Sequence, residues 1–434
     1  MNRRDFLKKL GAGSAAVGAV ALAGCKSNNV SSEAFDGESL GDMTYRTNPN
    51  TGDKVSLLGY GMMRLPMLEK EKDDDPDVID QEQVNHLIDE AIKYGVNYID
   101  TAPVYCQGKS EESTGIALSH YKRDSFFVAT KLSNFDPSTQ SFEGSRQMYL
   151  DSMKNLQVSY IDYYLLHALG GSMDDFNHRF VDNGMLDFLV KEREEGRIRN
   201  LGFSFHGDTA VFDQVMELHN VYHWDFVQIQ MNYFDWTSNF QTKHLYDALA
   251  ERNIPVVIME PLLGGRLANV ATNLARGMKE REPDRSVASW AFRFCGTAPA
   301  VLTALSGMTY LEHLQDNLKT FCPLEPLNDE EKAFLEYVTK EMMNNPRIPC
   351  TGCQYCMPCP YGIDIPGVFS YYNKHKDDHE TFLEGYDNDI PAVRQADHCI
   401  SCGTCVGHCP QQISIPDQML NINKFVEKLK QGLI

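Results

Sequence analysis

The chain has 434 residues, 42% of them hydrophobic, and its 40 basic and 60 acidic side chains give a formal charge of −20. That apolar content excludes disorder as the dominant state, and the acidity argues against nucleic-acid binding, whose affinity comes mostly from neutralising phosphates. The length allows two or three domains, or one large α/β barrel with an appendage.

In chain order, residues 1–24 read as a removable signal peptide. A basic start is followed by the small, apolar run Leu10–Gly24. Fifteen residues at about 1.5 Å each fall short of a roughly 30 Å hydrocarbon core, and a charged region before a short apolar one is the pattern of a signal. Arg3-Arg4 with Phe6, Leu7 and Lys8 resembles a twin-arginine (Tat) signal, and Leu22-Ala23-Gly24-Cys25 resembles a bacterial lipobox. These resemblances imply export of a folded protein to the periplasm or cell envelope, with Cys25 lipidated and the membrane touched by that lipid anchor only. An uncleaved anchor is the alternative. Removing residues 1–24 takes away four basic residues and one acidic one, so the mature charge becomes 36 − 59 = −23. The polar stretch 25–45 is expected to be a tether.

Over residues 46–325, apolar runs alternate with amphipathic helical patterns. Strands are expected at Val55–Gly59, Val96–Asp100, Phe126–Lys131, Tyr163–His167, Asn200–Phe205, Val227–Asn232, Val256–Glu260 and Val301–Ser306. Helices are expected at Gln83–Tyr94, Ser145–Leu156, Leu186–Glu195 and Lys243–Arg252. Eight such units predict an α/β fold of the (β/α)8 TIM-barrel type, and the Gly-rich fingerprint of a Rossmann sheet is absent. Barrel chemistry gathers at the C-terminal strand ends, here Asp100, Lys131, His167, Ser204, Asn232, Glu260 and Ser306.

The motif Y-I-D-T-A-P-V-Y (98–105), the S-E-E that follows, V-A-T-K-L (128–132) and Y-Y-L-L-H (163–167) resemble the aldo-keto reductases over most of residues 46–325. The resemblance implies a catalytic tetrad of Asp100, Tyr105, Lys131 and His167. Tyr105 would protonate a developing alkoxide, helped by a nearby lysine that lowers its pKa from about 10. Asp100 would hold Lys131, and His167 would orient the carbonyl.

The family's nicotinamide cofactor would meet Ser204 and Gln228, with Phe205 where Asn is commoner and Met231 where an aromatic residue often stands. The segment M-E-P-L-L-G-G-R-L, with Pro261, Leu262 and Gly264, resembles the pyrophosphate cover. The segment with Ser306, Gly307, Met308 and Asn317 resembles the adenosine-phosphate site. The cations that NADPH-preferring members place near Gly307 and His313 are missing, which leaves NAD and NADP both open. His206, Tyr233 and Trp236 are candidate pocket residues.

A helical connector, 326–345, leads to residues 346–434, where eight of the 12 cysteines cluster. Cys350, Cys353, Cys356 and Cys359 precede Pro360, and Cys399, Cys402, Cys405 and Cys409 precede Pro410. The second spacing is that of bacterial ferredoxins and the first is one residue shorter, implying a ferredoxin-like domain with two 4Fe-4S clusters. In two-cluster ferredoxins the last cysteine serves the other cluster, which would group Cys350, Cys353, Cys356 with Cys409, and Cys399, Cys402, Cys405 with Cys359. Four-cysteine zinc is the alternative. The insertion between the motifs is expected to be a solvated helical excursion, and Cys106, Cys295 and Cys322 to be packing residues.

Together the parts imply an exported iron-sulfur oxidoreductase. It would interconvert a small-molecule carbonyl and an alcohol by hydride transfer, with electrons relayed through the clusters to a redox partner protein. The alternatives are an electron-transfer protein whose barrel is a non-catalytic docking scaffold, and clusters that only stabilise the fold. A physical tension accompanies the first reading, because nicotinamide passes two electrons at once and a cluster passes one.

Overall fold

The computed structural model describes residues 40–69, 77–344 and 346–433; the expected signal, Cys25 and most of the tether lie outside the described residues. A short antiparallel hairpin, β1 (Tyr45–Thr47) and β2 (Lys54–Ser56), comes first. Eight strands follow: β3 (Leu58–Gly61), β4 (Tyr98–Asp100), β5 (Phe127–Leu132), β6 (Ile161–Leu169), β7 (Ile198–Phe205), β8 (Phe226–Gln230), β9 (Val256–Met259) and β10 (Val301–Ser306). They pair in parallel in chain order and close through β10 on β3, with helices alternating around them. Such strands are covered on both faces, which is why β4, β9 and β10 are buried at every position.

The barrel interior is filled. Tyr98, Tyr163, Phe226, Val257 and Leu305 form one apolar cluster, with the Tyr98–Tyr163 and Tyr163–Phe226 ring centroids each 5.0 Å apart. Below them the hairpin closes the N-terminal end. Asn48, fully buried, donates to the Tyr163 hydroxyl at 3.1 Å and to Asn200 Oδ1 at 3.3 Å.

Two expectations at this end need correction. Val55–Gly59 is not one strand: Val55 belongs to the hairpin, and the chain breaks at Leu57, whose N–H donates to Thr44 O at 2.8 Å. The tether stops short of residue 45, because the Gly41 and Thr44 N–H groups bond to the carbonyls of Cys322 and Phe321, both at 3.0 Å.

The connector helix, Asp329–Asn344, is laid along the barrel. Its Leu335 and Val338 share a core with Tyr233, Leu263 and Trp290, and Glu331 pairs with Arg293 at 2.7 Å. Tyr233 is therefore a packing residue, as is Trp236 against Tyr246 and Phe294; neither lines the site cavity described below.

The C-terminal module rests on three helices, Ile365–His375, His379–Asp389 and Ile415–Lys430. The insertion expected to be solvated supplies two of them and much of the core. Tyr371, Phe382 and Tyr386 are buried with Phe369, Met419 and Ile422, because the charged run 374–380 is only the turn between two amphipathic helices. Among the described residues no helix is long and apolar enough to cross a membrane.

Candidate active site

Asp100 closes β4, and the next residues turn sharply: Tyr105 N–H bonds to Ala102 O at 3.1 Å, and Cys106 and Gln107 hold φ of +49° and +55°. The S-E-E signature fixes this turn from behind. Ser110 Oγ donates to Met62 O at 2.8 Å and also contacts the Thr101 hydroxyl, while Glu111, buried, accepts from the Thr130 hydroxyl at 2.6 Å.

The four residues expected as a tetrad are brought together. Lys131, from β5 and fully buried, donates to Asp100 Oδ1 and Thr101 O, both at 2.7 Å, and its Nζ lies 4.8 Å from the Tyr105 ring centroid. His167, from β6, faces the Tyr105 ring at 6.0 Å between centroids, and its Nδ1 lies 2.6 Å from Ser133 Oγ. Arg179 secures this strand end by donating to His167 O at 2.9 Å.

Burial dominates the electrostatics. It pushes His167 well below the usual imidazole range, reinforced by Lys131, His206 and Arg179, so the ring is neutral at pH 7. It pushes Lys131 down against the attraction of Asp100. The Tyr105 hydroxyl goes well up, by burial first and then by Tyr355, Asp100 and Glu260. The expected lowering by Lys131 is not met: the ammonium is engaged by Asp100 and Thr101, and desolvation of the phenolate outweighs it.

Tyr105 lines a cavity of about 1640 Å³. One wall is the barrel mouth, with Arg64, Cys106, Arg179 and His206; the other is the C-terminal module, with Gln354, Tyr355 and His408. The module is bonded across the mouth. The Tyr355 and Tyr105 hydroxyls are close neighbours, Gln230 and Gln411 exchange amide bonds at 3.3 and 2.9 Å, and Arg64 donates to Thr351 O. Tyr355 is the site residue that sequence reasoning missed. It sits between two cysteines, and nothing local signals a contact with a residue 250 positions earlier. Cys106 points its thiol at Met63 O, 3.5 Å away, and burial pushes its pKa up, as a packed cysteine behaves. Cys295 and Cys322 are buried.

Most of the nine residues expected along a dinucleotide are engaged internally, though the buried Gln228 Oε1 has no hydrogen-bond partner. Ser204 Oγ accepts from Ala168 N–H at 2.8 Å, and Gln228, buried, donates to Met259 Sδ at 3.5 Å. Asn317 donates to Ser306 Oγ at 2.9 Å, and Met308, fully buried, accepts the Tyr60 hydroxyl on its carbonyl at 2.6 Å. Gly307 is exposed beside Arg64. Pro261, Leu262 and Gly264 form a tight turn in which Gly264 N–H donates to the Glu260 carboxylate at 2.5 Å. None of the nine lines the Tyr105 cavity.

The two cysteine motifs are built alike. Gly352 and Gln354 in the first, and Ser401 and Gly403 in the second, hold φ between +58° and +78° at matching positions. C-P-Y-G-I-D-I-P (359–366) and C-P-Q-Q-I-S-I-P (409–416) then enter a helix in the same way. Cys350, Cys353 and Cys356 line one hollow together with Cys409. Burial and the neighbouring thiols raise Cys356 to about 12. Cys405 is raised by burial first, then by Cys399, Cys402 and Cys359. Each motif's last cysteine thus keeps company with cysteines of the other motif, and thiols are the donors that an iron-sulfur cluster takes.

Comparison with known proteins completes the site. The Aldo/keto reductase family model matches residues 57–338, and a 4Fe-4S dicluster domain matches residues 349–413. An uncharacterized oxidoreductase, YqkF of Bacillus subtilis, is 26% identical over 286 residues, 59% of this chain and 87% of that protein. Methylglyoxal reductase DkgA of Escherichia coli is 32% identical over 176 residues, 37% of this chain and 57% of that protein. An aldo-keto reductase from Klebsiella pneumoniae, solved in complex with NADPH, shares the fold with a TM-score of 0.54 and 21% identity, covering 69% of this chain and 95% of that one.

Proposed function

Because the chain belongs to the aldo/keto reductase family and carries a 4Fe-4S dicluster domain, we propose that this oxidoreductase interconverts a carbonyl and an alcohol at Tyr105, exchanging electrons through its C-terminal module. The observation that carries the reading is the hydroxyl contact between Tyr105 and Tyr355 at the wall of the shared cavity. Cys350, Cys353, Cys356 and Cys409 would hold one cluster, and Cys399, Cys402, Cys405 and Cys359 the other. When bound, the clusters supply one-electron transfer.

The chain's own residues account for the proton chemistry. Tyr105, kept protonated by burial, delivers its proton only to a strong base, and the alkoxide that develops as a carbonyl is reduced is one. Neutral His167, fixed by Ser133, orients the carbonyl oxygen. Lys131 and Asp100 hold the floor of the site, and the module above limits access of water. Over the turn expected to cover a pyrophosphate the space is taken by Thr351, which abuts Gly264, so that part of the groove does not fit a dinucleotide, and no step is routed through such a cofactor.

We also read residues 1–25 as directing Tat export and lipid attachment at Cys25, which places the enzyme in the cell envelope beside a redox partner protein; the sequence pattern alone supports this part.

The experiment is Tyr105→Phe in the full-length, cluster-loaded protein, with reduced methyl viologen as electron source and a panel of small aldehydes and ketones. Turnover falls at least about a hundredfold, in line with loss of a general acid, while iron and sulfide content stays unchanged. The filled cofactor space favours one competing reading, an electron-transfer protein with a non-catalytic barrel. Under it no carbonyl is turned over, and Tyr105→Phe leaves electron transfer to acceptor proteins unaltered.

A further inference from the structure

The loop that begins the first cysteine motif stands against the turn expected to cover a dinucleotide's pyrophosphate. Gly264, at φ +66°, is in direct contact with it: a Cβ on Gly264 would fall 2.4 Å from Thr351 Cα. Thr351 is itself 3% exposed. Its carbonyl accepts from Arg64, and the neighbouring Glu260 carboxylate takes the Gly264 N–H. Arg64 in turn bridges toward the adenosine side, where its carbonyl accepts from the Thr309 hydroxyl at 2.9 Å and its Cβ neighbours Gly307. At the nicotinamide end Tyr355 covers Tyr105. At the pyrophosphate turn Thr351, and at the reaction centre Tyr355, thus set one segment of the same chain against the barrel.

We propose that this segment has taken the dinucleotide's place, so that the protein does not bind NAD(P)H and its reducing equivalents come one at a time from a one-electron carrier protein, by way of the cluster that Cys350, Cys353, Cys356 and Cys409 would hold. The inference rests on the oxidoreductase reading of the Tyr105 cavity. The reaction balances, since one carbonyl, two electrons and two protons give one alcohol. The C=O π bond breaks and one O–H and one C–H bond form; the carbonyl is reduced and two carrier molecules are each oxidised by one electron. Tyr105 gives the proton to oxygen and is reprotonated from solvent, and the hydrogen on carbon also originates from solvent. The mismatch between a two-electron cofactor and one-electron clusters does not arise, because no hydride is passed.

The test uses the full-length, cluster-loaded protein. NADPH and NADH are titrated by fluorescence and by equilibrium dialysis, and each is then added anaerobically while cluster absorbance is followed. No saturable binding up to millimolar nucleotide, with no bleaching by either nucleotide but bleaching by reduced methyl viologen, is the expected result. Micromolar binding of either nucleotide, or bleaching by it, overturns the proposal. The two readings fail separately. Nucleotide binding with turnover still abolished in Tyr105→Phe defeats only the groove inference. Absence of binding with Tyr105→Phe silent leaves the filled groove standing and defeats the electron route to Tyr105.

Discussion

Lys131 is a charge without water. Its hydrogen bonds to Asp100 and to the Thr101 carbonyl, with the attraction of the Glu111 carboxylate, offset its desolvation. Removing one member of such a pair leaves the other buried and uncompensated, a loss of about 3–5 kcal/mol. Lys131→Met is therefore expected to lower stability by that amount in denaturant unfolding. The double variant with Asp100→Asn is expected to recover much of it, because no lone charge is left. His206, like His167, contributes pH dependence at this scale. Burial, and then Lys131, push it down to about 4. Since the folded value lies below the unfolded one of about 6.5, the folded state favours the neutral ring. Its stability is fully present above about pH 6.5 and is lost as pH falls toward 4. Melting temperatures measured across that window should fall more steeply in the native protein than in His206→Gln.

Among elements, the barrel strands were the most readable, since a parallel strand buried on both faces leaves an unbroken apolar run; each of the eight strand expectations overlaps one barrel strand, and only the first takes in another element as well. The same property misled at the start, where Val55 to Leu58 is apolar at both ends yet serves two elements, and only the Thr44 contact reveals the break. The tetrad was legible because its residues lie at or beside strand ends. Tyr355 was not, since its meaning lies in a contact through space. The cysteine loops carry a prediction of their own. If each last cysteine serves the other motif's cluster, Cys409→Ser should perturb the electron paramagnetic resonance of the cluster held by Cys350, Cys353 and Cys356. Cys359→Ser should perturb the other. Each variant would alter one signal, and an unswapped arrangement would give the reverse assignment.

For the whole molecule, the barrel and the dicluster module are two faces of one cavity. Neither supplies an enclosed site alone, because Tyr105 and Cys106 line one wall and Tyr355 and His408 the other. The appendage that the sequence suggested as a separate electron carrier is thus also a lid with a fixed seat, held by Arg64 and Gln230. What concealed this arrangement in the sequence is that its contacts are single hydrogen bonds between distant loops, with no periodic pattern to announce them.

The Tyr105–Tyr355 contact also turns the protein into its own indicator. Tyr355 lies one residue from Cys356 and two from Cys353, so a compound that enters the cavity and displaces its hydroxyl disturbs the surroundings of those thiolates. Occupancy of the barrel is then visible as a changed line shape in the module's spectrum. Candidate substrates can be sorted by colour and resonance before any one of them is known to react.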